Sequence, residues 1–121
     1  MTIVYVDDHP IMLKGILQSI EQILPGARIG TFDKADDALE FAKKNGCDVL
    51  ISEIELCGMD GLTLAKNIKM MHPHVNIIFL TVCDEKEHAK EVFKLKPSGY
   101  LVTPRTIQSM EFSRPEYWSG F

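Results

Sequence analysis

Positive charge is in short supply: 13 Lys and Arg face 17 Asp and Glu, for a net charge of -4 and a pI near 5.5. Nucleic-acid binding needs a basic footprint, so this chain is not expected to bind DNA or RNA directly. Long hydrophobic runs are missing too. The longest mostly apolar stretch, residues 75–83, falls well short of the roughly 20 residues that span a bilayer. The start, Met1-Thr2-Ile3, lacks the basic region of a signal peptide. Neither a membrane span nor export is expected, and the chain reads as cytoplasmic. Cysteine is scarce, three residues with no CxxC spacing, which fits free thiols better than a disulfide framework. Internal repeats and low-complexity linkers are absent from this sequence.

What is there is an ordinary globular composition, 45% hydrophobic and 25% charged over 121 residues, enough for one domain with a real core. Short apolar runs alternate with segments of helical period, the pattern of a parallel sheet flanked by helices. Strands are predicted at residues 3–6, 28–32, 49–51, 75–82 and 99–102. The first helix should use Leu13, Ile16, Leu17, Ile20 and Leu24 and stop at Pro25-Gly26. Asp33 is expected to cap a second helix buried through Ala35, Ala38, Leu39 and Ala42. Asp60 is expected to begin a third, carrying Leu64, Ala65, Ile68 and Met71. A weaker fourth helix over residues 85–95 would turn Ala89, Val92 and Phe93 inward. The fold class is therefore α/β, a (βα)5 flavodoxin-like, doubly wound sheet of five parallel strands.

In such sheets reactive groups gather at the carboxyl ends of the strands, where the strand order reverses. Those ends carry Asp7 and Asp8, then Glu53, then Thr81, then Thr103-Pro104. Carboxylates converging in this way suit a hard cation such as Mg2+. Like charges so close raise one another's pKa, so the cluster should need a cation or a proton. Beside the pair, His9 is a further metal ligand, a helix cap or a solvated side chain.

Four segments carry a resemblance over residues 2–104: Val4-Tyr5-Val6-Asp7-Asp8-His9-Pro10, residues 48–61 from Asp48 to Gly61, Ile77-Ile78-Phe79-Leu80-Thr81, and Ser98-Gly99-Tyr100-Leu101-Val102-Thr103-Pro104. The chain resembles the CheY-like receiver domains of bacterial two-component response regulators. The last segment is most similar to receivers that precede LytTR-type DNA-binding domains. The resemblance implies Mg2+ on Asp7, Asp8, the phosphoacceptor position Glu53 and the backbone carbonyl of Glu55. It implies a phosphoryl-binding hydroxyl at Thr81, an aromatic switch at Tyr100, a lysine at the position of Thr103, and a cis bond before Pro104. It also implies signalling by contact with a sensor histidine kinase or other signalling protein, not enzymatic turnover, and an output domain elsewhere in a longer protein. Pairing of two copies would use the fourth helix, fifth strand and fifth helix.

Two departures alter this expectation. Glu53 stands where the family has aspartate, and a carboxylate one methylene longer is misplaced for in-line attack, an error of about 1 Å that can cost on the order of a hundredfold. Thr103 stands where the family has lysine, removing the cation that would stabilise a transferring phosphoryl group. The site is therefore read as degenerate, with weak Mg2+ binding. The alternative is a working receiver that regulates transcription through its output domain. Glu53 could also imitate an acyl phosphate, but with one charge against about two. Flavodoxins and haloacid-dehalogenase-like phosphatases fit poorly, since Asp7-Asp8-His9-Pro10 offers neither a phosphate loop nor an Asp-x-Asp pair.

The domain core is read as residues 1–104. Residues 105–121, with Pro115 and four of the ten aromatics (six Phe, three Tyr, one Trp), read as an irregular C-terminal tail or shortened fifth helix. That segment is divergent, a docking segment, or foreign to the domain.

Overall fold

The computed structural model describes residues 1–54, 56, 59–81 and 92–102, with Thr81 and Val102 described by their backbone alone. The elements run β1 (Thr2–Val6), α1 (Pro10–Ile23), β2 (Arg28–Phe32), α2 (Ala35–Asn45), β3 (Val49–Glu53), α3 (Gly61–Met71), β4 (Asn76–Thr81) and β5 (Gly99–Val102). The five strands form one sheet in the order β2-β1-β3-β4-β5, and every neighbouring pair is parallel. This is the flavodoxin-like doubly wound arrangement expected from the sequence.

Alternation along the strands supplies two cores, because successive side chains point to opposite faces. Val4, Val6, Leu50, Ile77 and Phe79 face one way and pack with Ala38, Ala42, Leu64 and Ile68 of α2 and α3. Ile3, Tyr5, Ile51, Ile78, Leu80 and Leu101 face the other way and meet Ile20, Leu13 and Ile16 of α1. A strand buried on both faces must be apolar throughout, which is why β3 reads as a continuous run. All five of its residues are buried, including Ser52 and Glu53.

Local chemistry sets the helix ends. Pro10 opens α1 at a position where its missing N–H costs nothing. Asp36 and Asp37 in the first turn of α2 and Lys43 and Lys44 in its last complement the helix dipole. Asp60 caps α3 as expected, its side chain accepting from the Thr63 N–H at 2.7 Å.

Three expectations need correction. The residue capping α2 is Lys34, not Asp33, and no side-chain cap bond forms there. Val75 belongs to the turn before β4, its N–H donating to the His72 carbonyl at 2.9 Å, so the strand pairs only from Asn76, opposite Val49. Val92 is fully buried, but the next residue, Phe93, is 63% exposed, and its ring lies 6.3 Å from that of Tyr100. Residues 82 and 85–91 of the expected fourth strand and helix, the Thr103-Pro104 bond and the tail lie outside the described residues.

One close approach fixes the sheet edge that matters for the site. The Gly61 N–H donates to the Ile54 carbonyl at 2.8 Å, and a Cβ at Gly61 would run into the Glu53 carbonyl oxygen. Glycine is thus required for α3 to start against the end of β3. Gly61→Ala is expected to destabilise the chain by about 1–3 kcal/mol, the usual cost of overpacking. Urea denaturation checks it, and an unchanged midpoint would contradict the close approach.

Candidate acidic site at the strand ends

Strand order reverses between β1 and β3. The helix after β1 leads to one side of it and the strands after β3 lie on the other. The residues that follow β1 therefore lie beside the end of β3, where sheets of this kind gather reactive groups. The backbone of Asp7 prolongs the sheet, its N–H donating to the Phe32 carbonyl at 3.0 Å. Its side chain is completely buried.

Three groups of the chain hold that carboxylate. The His9 N–H donates to Asp7 Oδ1 at 2.9 Å, and His9 Nδ1 lies 2.7 Å from the same oxygen. The Tyr5 hydroxyl donates to Asp7 Oδ2 at 3.2 Å. His9 Nδ1 also stands 3.1 Å from Asp8 Oδ1. Among the described residues, the potential metal-ligating group is Asp7, Asp8 and His9, whose ligand atoms all lie within 4.8 Å of one another.

Glu53 ends β3, opposite Leu80 in the register, and is 1% exposed. Its Oε1 accepts the N–H of the next residue, Ile54, at 3.0 Å. One oxygen of the carboxylate thus rests on the neighbouring backbone N–H, which also donates to the Leu80 carbonyl at 3.2 Å, and the charge is felt at both Tyr5 and His9. Thr81 ends β4 beside Val102. Tyr100 is half-buried against the first core, with Phe93 alongside. Glu55 and Thr103 lie outside the described residues.

Burial dominates the electrostatics. Desolvation pushes the Asp7 carboxyl above its ordinary range, against the lowering effect of the His9 and Tyr5 hydrogen bonds. The cause is therefore loss of water, not the mutual repulsion of carboxylates expected from sequence. The Tyr5 phenol is pushed far up by burial first and the Asp7 charge second, so it remains a donor. The hydrogen bond to Asp7 raises the pKa of the His9 imidazole, with further contributions from the charges of Asp7, Asp8 and Glu53.

Sequence reasoning missed Tyr5 as a site residue. A signal was available: two positions before Asp7 in a strand, it shares that residue's face, and a buried phenol needs a partner for its hydroxyl.

The paired carboxylates of Asp7 and Asp8 fit a hard divalent cation, which takes oxygen ligands and keeps several waters. The imidazole beside them is a softer donor, better matched to transition metals.

The profile of the family described as the response regulator receiver domain matches residues 3–111. The transcriptional regulatory protein YpdB of Escherichia coli K12 is 31% identical over 104 residues, covering 86% of this chain and 42% of that one. The Fimbriae Z protein of Salmonella typhimurium is 33% identical over 124 residues, covering 99% and 57%. The chain therefore spans about half the length of the curated relatives it matches. Among solved structures, the isolated receiver domain of RcsB from Salmonella enterica serovar Typhimurium, determined with the phosphomimetic BeF3-, superposes with a TM-score of 0.76 at 30% identity, covering 91% and 82%.

A carboxylate that titrates high because it is buried costs stability when ionised. That cost is absent below the unfolded value of about 3.9 and grows as the pH rises through the higher folded value. In the absence of divalent cations, Asp7→Asn is expected to gain on the order of 1 kcal/mol at pH 7.5. The gain should shrink toward pH 4, as followed by thermal denaturation. A less stable variant at pH 7.5 would mean that the Asp7 charge is a net benefit.

Proposed function

The chain belongs to the response regulator receiver family, and from that premise we propose that it is a signalling module acting by protein-protein contact, with phosphoryl transfer at Glu53 impaired. The observation that carries this reading is the Glu53 carboxylate, buried and turned onto the Ile54 N–H at 3.0 Å. In-line transfer needs the acceptor oxygen presented to the donor phosphorus, and misplacement by about 1 Å costs on the order of a hundredfold. Thr103 adds to the deficit, since a hydroxyl cannot neutralise the charge that a lysine would.

In this reading Asp7 and Asp8 hold Mg2+ weakly, with Glu53 and the Glu55 carbonyl completing its ligands. When bound, the ion would screen the charge of the acidic cluster. Thr81 and Tyr100 keep the positions of a switch, and partner binding instead of an acyl phosphate would bias it. The partner is a sensor histidine kinase or another signalling protein, and the face containing β5 offers a surface for a second copy.

Two observations favour a second reading. The chain covers 42% of a relative called a transcriptional regulatory protein, and a related RcsB structure is bound to promoter DNA. A working receiver altered at Glu53 and Thr103 would then govern a DNA-binding output domain of a longer protein, of the LytTR type that follows the receivers its last segment resembles.

Acetyl phosphate with Mg2+ separates the two. Intact-mass spectrometry is expected to show no phosphorylated species for the chain itself and a clear one for the Glu53→Asp, Thr103→Lys double variant. A phosphorylated species on the unaltered chain that disappears in Glu53→Gln would overturn the degenerate reading.

A further inference from the structure

Paired carboxylates that await a cation are ordinarily served by water, but here the chain supplies its own donors. Asp7 Oδ1 takes the His9 N–H and faces the His9 ring at 2.7 Å, while Asp7 Oδ2 takes the Tyr5 hydroxyl. The same ring nitrogen, Nδ1, stands 3.1 Å from Asp8 Oδ1. The ring thus hydrogen-bonds to Asp7 and stands at ion-pair distance from Asp8, on the two carboxylates that a cation would need.

We infer that His9 is a tethered plug of the acidic site, competing with the divalent cation for Asp7 and Asp8. Three features suit it to that task. The ring is 51% exposed, so it can swing into solvent without opening the core. His9 sits at the N-cap of α1 but makes no side-chain cap bond, so its ring does no work for the helix. Tyr5 grips Asp7 from the buried side, so the carboxylate stays in place when the ring leaves. A neutral imidazole carrying its proton on Nδ1 is also a donor, if a weaker one than the charged form, so the plug needs no change of protonation. Tyr5 is the positioning residue of this device and His9 its moving part.

The inference rests on the reading that Asp7 and Asp8 take Mg2+, and the test separates the two. MgCl2 is titrated into the full chain and into His9→Ala and Asp8→Asn, following the amide shift of residue 8 and the thermal midpoint. Loss of a hydrogen bond to a charged group is worth about tenfold, so His9→Ala is expected to bind Mg2+ about tenfold more tightly than the unaltered chain, and Asp8→Asn to lose binding. Unchanged affinity in His9→Ala with binding abolished in Asp8→Asn would overturn the plug alone. Weaker binding in His9→Ala would also overturn it and make His9 a ligand. Binding that survives in Asp8→Asn would place the cation elsewhere, overturning the Mg2+ reading and the plug together. If His9→Ala fails to fold, His9→Ser, which installs a preferred N-cap residue, takes its place with the same expectations.

Discussion

The site is organised around the cost of one charge, the carboxylate of Asp7, which has no access to solvent. An isolated buried carboxylate is expensive unless it is paired and hydrogen-bonded. Here Tyr5 and His9 meet both of its oxygens, and burial still holds its pKa above the ordinary range. The cost is imposed by topology. The strand that ends at Asp7 lies between β2 and β3, so neighbouring strands flank its carboxyl end on both sides.

Glu53 belongs to the same problem. It closes a strand buried on both faces, and one oxygen of its longer side chain accepts the next backbone N–H. Gly61 holds α3 against that strand end, where nothing larger fits. The result is a receiver scaffold in which the Asp7 carboxylate is hydrogen-bonded on both oxygens from within the chain.

Much of this was legible in the sequence, for physical reasons. Continuous apolar runs identify strands that are covered on both sides, so β1 and β3 were located closely, and the acids after them follow from the rule that such sheets expose chemistry at their carboxyl ends. Less legible were features decided by one residue of geometry. Val75 looks like strand because it is apolar, but its N–H is used in a turn. Phe93 looks like core because Val92 is, but one residue along a helix is a rotation of about 100° and carries it to the surface. The hold of Tyr5 on Asp7 was hidden because a tyrosine in an apolar strand reads first as packing. The direction of the Glu53 carboxylate depends on a rotamer and leaves no trace in composition or spacing.

The central claim, that the Glu53 carboxylate is not presented for in-line attack, can be tested without a kinase. Beryllofluoride bonds to a properly placed acceptor carboxylate, and 19F NMR separates bound from free fluoride. With Mg2+ present, the chain is expected to give no bound resonance and Glu53→Asp to give one. A bound resonance on the unaltered chain that is lost in Glu53→Gln would contradict the account.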